Sequence, residues 1–337
     1  MPRVTLWLAA GLFVASIVIT LGACALFTNG IEWFGKRRKI SEGAIGSVFA
    51  AVGTTLPETS IPLVAIFFGT GQERTEVGLG AILGAPFMLS TLVLPILAFL
   101  LLLYARLGKR EAAFKLDYHE VRVDLVFFLA AYAMALGCGF VVSRPVHYLA
   151  AVLLIASYVY YMRLKFSGAP GGESEMEPLI FAPRQAVPSY GLIGLQAVAG
   201  LAGLAGGAHL FVTAARSIAE ILEVSPLILA LLIAPLATEL PEMSNSFLWL
   251  YRKKDRLAVG NVTGAMVFQG TFPVSIGLVG TDWSLAPSAM TTMGLALLAV
   301  GAAALQLLWG GHWRPWLLGG GVVLYLGYTA SLYFYGF

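Results

Sequence analysis

Charged and metal-ligating residues are scarce in this sequence. Only 12% of its 337 residues are charged, whereas soluble domains carry about 25%. It has two cysteines, Cys24 and Cys138, and four scattered histidines, which make neither a disulfide framework nor a zinc site. A glycine-rich phosphate-binding loop is also missing, so nothing indicates the use of ATP. The composition excludes an ordinary soluble protein and indicates no cofactor.

Apolar runs take the place of the missing charge. Hydrophobic residues make up 58% of the chain and its mean hydropathy is +0.83. A helix needs about 20 apolar residues to cross a bilayer, and runs near that length recur throughout. They predict an all-α membrane protein of about ten transmembrane helices. The predicted spans are 5–27, 41–69, 77–104, 124–143, 146–162, 190–216, 225–250, 257–280, 287–309 and 315–335.

Basic residues divide the loops between these spans into two sets. One side of the predicted membrane receives 17 of the 21 Lys and Arg residues, and the other side receives 4. Because cytoplasmic loops are rich in Lys and Arg, both termini are expected outside, in a prokaryotic inner membrane. The basic residues serve topology and indicate no nucleic-acid partner. The expected partners are the lipid bilayer and inorganic cations, and the oligomeric state is left open.

One stretch has the composition of a linker. Residues 164–188 combine several Gly and Pro residues with an acidic run at 173–177. Such a segment has little to bury, so we expect a mobile, solvated cytoplasmic connector. A regulatory ion sensor is the alternative. The linker separates a first half, 1–163, from a second half, 189–337.

The two halves resemble each other. An offset of 184 residues superposes Leu56-Pro57-Glu58 on Leu240-Pro241-Glu242, and after a deletion of four residues Gly80 and Gly84 meet Gly260 and Gly264. Five spans per half force the second copy to insert upside down. The sequence therefore predicts two inverted five-helix repeats, an architecture that recurs in secondary transporters.

The repeated glutamates, Glu58 and Glu242, are poorly suited to lipid. A charge at the bilayer centre costs about 3 kcal/mol or more, and a bound cation would compensate this cost. Pro57 and Pro241 lack amide protons, so the carbonyls of Gly53 and Ala237 lose their helical partners. Free carbonyls, carboxylates and threonine hydroxyls suit Na⁺ or Ca²⁺. The alternative is a pair of proline kinks with protonated glutamates that only pack the bundle. The hydroxyl candidates are Thr54, Thr55 and Thr238.

These segments carry a family resemblance. Ala51-Val-Gly-Thr-Thr-Leu-Pro-Glu58 and Pro235-Leu-Ala-Thr-Glu-Leu-Pro-Glu242 resemble the two alpha-repeat signatures of the cation/Ca²⁺ exchanger superfamily, which includes the sodium/calcium exchangers. The motifs extend over 41–91 and 225–271. The segment Gly260-Asn-Val-Thr-Gly-Ala-Met-Val-Phe-Gln269 is similar to the family's Gly-Asn-x-x-Gly-Ser segment, and Gly206-Gly-Ala-His-Leu-Phe211 to its gating-helix motif.

The resemblance implies antiport rather than enzyme catalysis. Ca²⁺ or a related divalent cation would exchange against Na⁺ or H⁺ by alternating access. Spans two, three, seven and eight would hold the site, while spans one and six would slide past them. The implied cation ligands are Glu58, Glu242, Thr54, Thr55, Thr238, Glu239, Gln269 and Asn261, with backbone carbonyls of Gly53 and Ala237.

Departures from the family pattern make the site asymmetric. Leu89 and Gln269 stand where the family usually has Asn or Asp, and Ala85 and Ala265 replace Ser. Glu239 stands where Ser or Thr is common. Glu239 could bind the divalent ion or carry a proton, because clustered buried carboxyl groups favour the protonated form. It could instead pair with His209, itself a candidate proton relay, or with another polar group.

An intramembrane hydrolase is the alternative function. Glu58 and Glu242 could form a carboxylate pair that shares one proton, as in aspartic proteases. A hydrolase, however, has no need of the same signature in both halves or of a matching gating helix. The repeat therefore favours the antiporter.

Overall fold

The computed structural model describes residues 6–37, 56–69, 71–166, 177–223, 230–232, 235 and 238–335. The helices are α1 Leu6–Arg37, α2 Leu56–Phe68, α3 Gly71–Met88, α4 Leu94–Arg106, α5 Tyr118–Cys138, α6 Arg144–Phe166, α7 Tyr190–Leu222, α8 Leu240–Tyr251, α9 Asp255–Gly280, α10 Pro287–Gly310, α11 Pro315–Leu318 and α12 Gly320–Tyr335. A five-residue π-helix, Leu89–Val93, joins α3 to α4 without a break.

The helices confirm the predicted all-α membrane fold. Within the described ranges, seven helical stretches are long and apolar enough to cross a membrane. The order of elements also repeats between the halves. In the first half the long helix α1 has 32 residues, and the next described helix, α2, has 13. In the second half the long helix α7 has 33 residues, and the next described helix, α8, has 12. A long span then follows in each half, which agrees with two copies of one five-helix unit.

Helices α1 and α7 pack mainly on each other. Glycines on α7 permit a close approach, since a Cβ at Gly200 would lie 2.7 Å from the backbone nitrogen of Phe27. A Cβ at Gly203 would lie 2.7 Å from the Cβ of Ala23. Small residues at such interfaces let helix backbones come together in lipid, where hydrophobic burial gives no driving force. The pair forms a unit of its own, and α2 is its main contact with the remaining helices.

Helix α9 occupies the centre of the other bundle, in contact with α2, α3, α5, α6 and α8. Several of its hydroxyl residues are buried, and their hydroxyls bond back to carbonyls of the same helix. Thr271 donates to Val267 O at 2.7 Å and Ser275 donates to Thr271 O at 2.8 Å. Such bonds satisfy polar groups where water is absent. Gln269 on α9 differs from these residues, because its buried side-chain oxygen has no hydrogen-bond partner among the described residues.

The described part of the linker, 177–188, is largely exposed, as expected of a solvated segment, but it is docked on α1 and α7 and is not a free connector. Leu179 is fully buried, and the backbone of 177–181 bonds to side chains of α1 and α7. Trp33 Nε1 donates to Glu177 O at 3.1 Å, and Phe181 N donates to Gln196 Oε1 at 2.8 Å. The sequence analysis missed this docking, although the buried residues Leu179 and Ala182 belong to a short apolar run, Leu179-Ile-Phe-Ala182. We call residues 177–188 the strap.

The first predicted span, 5–27, agrees with the apolar stretch Leu6–Phe27, but the helix that contains it is longer. Helix α1 continues to Arg37, so Lys36 and Arg37 occupy its last turn rather than a loop. Basic side chains stabilise a helix at that end, where carbonyl groups are unpaired. Arg37 Nη1 donates to Pro188 O at 2.5 Å, which ties the end of α1 to the strap.

Candidate functional site

Several predicted ligands lie outside the described residues. This applies to Gly53, Thr54, Thr55 and Ala237 as a whole. Glu58 and Glu242 occupy helical positions on α2 and α8, but their side chains are also outside the described part. Their roles in cation binding stay predictions.

Glu239 forms the best-defined part of the site. It is fully buried at a turn immediately before α8, and its backbone N–H bonds to Pro235 O at 2.9 Å. One carboxylate oxygen, Oε1, accepts a hydrogen bond of 2.6 Å from Gln269 Nε2 on α9. The link therefore joins the two signature segments of the second repeat, which the sequence places 30 residues apart.

Two acceptor oxygens of this pair have no hydrogen-bond partner among the described residues. They are Glu239 Oε2 and Gln269 Oε1, both buried. An unsatisfied buried acceptor is costly, and a buried carboxylate costs far more than a neutral amide. A cation that binds both oxygens, or a proton on Glu239, would remove the cost. The pair can thus hold either a cation or a proton.

His209 is not the partner of Glu239. Its side chain is exposed on α7, whereas Glu239 is fully buried and accepts from Gln269. The proton-relay role of His209 stays a prediction without a described contact to the site.

The other predicted ligands of the second repeat lie at two levels. Thr238 is buried beside Glu239. Asn261 is half-buried on α9 and donates to Ser246 Oγ on α8 at 3.1 Å. Eight residues separate Asn261 from Gln269, about 12 Å along the helix. Asn261 therefore ties α9 to α8 at a level away from the Glu239–Gln269 pair, and Ser246 is a partner that the sequence analysis missed.

The two halves of the chain meet at Gly84. A Cβ there would overlap the carbonyl oxygen of Leu231 and lie 2.6 Å from Pro235 Cγ. Gly84 belongs to the repeated glycines of the first half, and Leu231 and Pro235 precede Glu239 in the second. Only glycine allows this approach without a shift of backbone. The repeated glycine thus brings α3 against the segment that carries Glu239.

The first repeat supplies no side-chain oxygen at Leu89. This residue is fully buried and begins the π-helix. The next hydroxyls bond to the carbonyls of the preceding turn: Ser90 donates to Pro86 O at 2.8 Å and Thr91 to Phe87 O at 2.5 Å. Short π-helical turns are frequent at functional sites. The predicted loss of oxygen from the first half agrees with this geometry.

A buried ionic network holds α9 in place, and the sequence analysis missed it. Asp124 on α5 is 2% exposed and accepts from Thr263 on α9 at 2.7 Å. Tyr161 donates to Asp124 at 3.0 Å and Lys165 lies 2.6 Å from it, both from α6. Thr263 belongs to the Gly-Asn-x-x-Gly segment. The signal in the sequence was Asp124 at the start of the predicted span 124–143, whereas Lys165 falls in the predicted linker 164–188.

The comparison with protein families agrees with this arrangement. The family model described as "Sodium/calcium exchanger protein" matches residues 8–167 and 193–336, nearly the whole chain. The chain belongs to the sodium/calcium exchanger family. Members of this family are exchangers, so the protein is a membrane antiporter for cations and the hydrolase alternative is not supported.

Relatives and solved structures of similar proteins extend the comparison. The chain is 24% identical over 278 residues to the "Putative antiporter CaxA" of Alkalimonas amylolytica, covering 81% of each protein. It is also 24% identical over 269 residues to the "Uncharacterized membrane protein MJ0091" of Methanocaldococcus jannaschii, covering 77% of this chain and 78% of the relative.

Two solved structures share the fold at low identity. The H⁺/Ca²⁺ exchanger CAX superposes with a TM-score of 0.73 at 17% identity, covering 97% of this chain and 82% of CAX. The sodium-calcium exchanger NCX_Mj superposes with a TM-score of 0.59 at 20% identity, covering 97% and 100%. At such identities the likeness concerns the fold alone. It supports the ten-helix exchanger architecture for this member of the family.

Proposed function

We propose that the protein exchanges Ca²⁺, or a related divalent cation, against Na⁺ or H⁺. The exchange takes place by alternating access at a carboxylate site that contains Glu58, Glu242 and Glu239. The observation that carries this proposal is the Glu239–Gln269 pair, with one carboxylate oxygen and one amide oxygen buried and unpartnered among the described residues.

The chemistry of the proposed ligands fits a hard cation. Carboxylate, amide and hydroxyl oxygens are the ligands that Ca²⁺ prefers, usually six to eight of them. Glu239, Gln269 and Thr238 supply three such groups from the second repeat. Glu58 and Glu242 supply the charge that a divalent ion requires. Binding of the ion would offset the cost of burying these carboxylates away from water.

The residues favour a contribution of H⁺ to the coupling. Leu89 is apolar where the family usually has an oxygen ligand, and its neighbours Ser90 and Thr91 already bond to backbone carbonyls. Fewer oxygens disfavour several simultaneous Na⁺ sites. Glu239 adds a buried group that can bind a proton. A proton and a divalent ion would then compete for the same carboxylate, which couples the two fluxes.

The packing supports movement of the α1–α7 pair against the other helices. These two helices contact each other far more than they contact the bundle around α9. Among the described residues, such movement must mainly rearrange the contact of the pair with α2, where Ile61 and Val64 pack with Phe211 and Ala214. The pair is the counterpart of spans one and six, which the family resemblance assigns to gating.

Gradient-driven flux tests the proposal. Purified protein in liposomes receives an outward Na⁺ gradient, an outward H⁺ gradient or neither, and uptake of radioactive Ca²⁺ is measured. We expect uptake above background with at least one gradient, and with the H⁺ gradient in particular. The Glu58→Gln, Glu242→Gln double variant is the transport-negative control and Arg184→Gln on the exposed strap surface is the neutral control. Uptake that ignores both gradients would overturn the proposal.

A further inference from the structure

A basic cavity lies between two loops of the described structure, away from the Glu239–Gln269 pair. One wall is the loop between α4 and α5, and the other is the loop between α8 and α9. The cavity has a volume of about 290 Å³, well above the roughly 30 Å³ of one water. Its lining consists of Gly108, Lys109, Arg110, Glu111, Lys115 and Lys253.

Positive charge dominates this cavity. Four of its six lining residues are cationic and one, Glu111, is anionic. Glu111 pairs with Lys115 at 3.5 Å, but both side chains are more than 70% exposed, so the pair is weak. The ammonium group of Lys253 has no hydrogen-bond partner among the described residues. The cavity therefore attracts an anion and has donors left to bind one.

A buried ion pair makes the cavity rigid. Arg110 is 6% exposed in its side chain and reaches across the two loops to Asp255, which is 1% exposed. Arg110 also donates to Leu250 O at 3.0 Å, and Lys115 N donates to Asp255 Oδ2 at 2.8 Å. These bonds join the α4–α5 loop to the start of α9. The lysines around them are thus held near one another before any ligand binds.

Each of the two loops begins at an ordinary left-handed helix end. Gly108 has φ +69° after α4 and Lys253 has φ 59° after α8. The next residue bonds back five positions in each case, Lys109 N to Tyr104 O at 2.9 Å and Lys254 N to Trp249 O at 2.8 Å, as is usual where a left-handed residue ends a helix. Lys253 N bonds to Leu250 O at 3.0 Å, which holds the turn. The turn keeps Lys253 at the rim of the cavity.

The surroundings distinguish a lipid from a free anion. Leu107 and Tyr251 flank the cavity and are 59% and 57% exposed, so apolar surface lies beside the charge. Tyr251 packs edge-on against Tyr104, and Lys109 lies over its ring at 5.8 Å. Tyrosine and lysine together are typical of the membrane interface. The charge rule predicts that this interface faces the cytoplasm, where basic pockets between helices bind anionic lipid headgroups.

We propose that the cavity binds the phosphodiester headgroup of an anionic phospholipid from the surrounding bilayer. The phosphate lies between Lys109, Lys115 and Lys253, and the acyl chains run along the apolar surface at Leu107 and Tyr251. The bound lipid bridges the two loops, and one of these loops connects α8 to α9. The proposal does not depend on which ions the protein exchanges.

Lipid retention tests the proposal. The full-length protein in mixed micelles is titrated with phosphatidylglycerol or phosphatidylcholine, and bound lipid is counted by native mass spectrometry. The test variant carries Lys109→Gln, Lys115→Gln and Lys253→Gln. The matched control loses three exposed charges elsewhere on the face predicted to be cytoplasmic, through Lys36→Gln, Arg184→Gln and Arg314→Gln.

We expect the wild type and the control to bind phosphatidylglycerol in preference to phosphatidylcholine. Each lysine removed from the cavity should weaken that binding about fivefold, which corresponds to about 1 kcal/mol per basic residue at an anionic surface. Glu111→Gln, which removes the one anionic lining residue, should strengthen it. Unchanged thermal unfolding without added lipid shows that the variants are folded.

Three results would overturn the proposal. Equal weakening in the test and control variants would mean that the attraction comes from the overall charge of the face. Equal binding of the two lipids would remove any role for the headgroup charge. Displacement of phosphatidylglycerol by inorganic phosphate at similar concentration would show a site for free anions instead of a lipid site.

Discussion

The side-chain amide of Gln196 on α7 donates a hydrogen bond of 2.9 Å to the side-chain oxygen of Asn29 on α1. The same two side chains hold the strap, since Asn29 Oδ1 also accepts from Ile180 N at 3.1 Å and Gln196 Oε1 accepts from Phe181 N. Two amides therefore join α1, α7 and the strap in one buried network.

Gln196→Leu should release the strap. The change removes the acceptor of Phe181 N–H and the donor to Leu26 O, and such a loss in a partly buried place costs about 1–3 kcal/mol. We expect lower thermal stability and faster tryptic cleavage after the exposed Arg184. Gln306→Leu is the control, because Gln306 is a half-buried amide that bonds to Arg314 N instead. Equal cleavage of wild type and Gln196→Leu would show that the network does not hold the strap.

Glu58→Gln and Glu242→Gln should each abolish Ca²⁺ transport while the protein stays folded. Glutamine keeps the shape of the side chain and removes the charge. A charge inside the membrane is costly, and a bound cation compensates this cost. The measurement is Ca²⁺ flux in liposomes together with thermal unfolding. Transport at the wild-type rate in either variant would place the central site elsewhere.

Glu239→Gln should flatten the pH dependence of Ca²⁺ flux. In the wild type a lower pH adds a proton to the buried carboxylate and so weakens divalent binding, whereas glutamine cannot take up that proton. Half-saturating Ca²⁺ concentrations measured over a pH series give the comparison. A pH response identical to that of the wild type would leave Glu239 as a structural hydrogen-bonding residue.

Exchange of the two partners provides a matched control for that experiment. The Glu239→Gln, Gln269→Glu double variant keeps one carboxylate and one amide in contact and only moves the charge by one hydrogen bond, from the turn before α8 to α9. We expect it to recover part of the pH dependence that Glu239→Gln loses. No recovery would mean that the carboxylate acts only from position 239.

Asp124→Asn should destabilise the protein much more than Asp282→Asn. Removal of one partner from a buried ion pair costs about 3–5 kcal/mol, and somewhat less here because Lys165 is 28% exposed. The Arg144–Asp282 pair is largely exposed, and such pairs contribute about 0–1 kcal/mol. Thermal unfolding of both variants measures the difference. Equal unfolding midpoints of the two variants would show that the Asp124 network contributes no more to stability than the exposed Arg144–Asp282 pair.

Cysteine labelling tests the predicted topology. In a background that lacks Cys24 and Cys138, cysteines at the exposed positions Arg184 and Arg252 should react only with a reagent in the cytoplasm. A cysteine at Asp282, which is 82% exposed in its side chain, should react only from outside. Labelling of position 252 from outside would contradict the inverted-repeat arrangement.

The membrane class, the helices and the repeat could be predicted because each depends on local properties of the chain. Apolar runs near 20 residues form helices in lipid, because a single segment can satisfy all of its backbone hydrogen bonds there only as a helix. The two Leu-Pro-Glu signatures are contiguous in the sequence, so both can be found without knowledge of the tertiary structure. Glu239 and Gln269 were both predicted as ligands from their departure from the family pattern, but not as partners of each other.

Only the tertiary structure decided which polar groups meet. The Asn29–Gln196 bond joins residues 167 apart in the sequence, and the Glu239–Gln269 and Asp124–Lys165 contacts join residues 30 and 41 apart, so no local pattern predicts them. The docking of the strap was missed for a similar reason. The Gly residues and the acidic run lie in 168–177, whereas the strap carries the apolar run Leu179-Ile-Phe-Ala182, and its backbone donors and acceptors bond to the side chains of Asn29 and Gln196. Composition determines what a segment can bury, whereas the position of a hydrogen-bond partner depends on the packing of the whole chain.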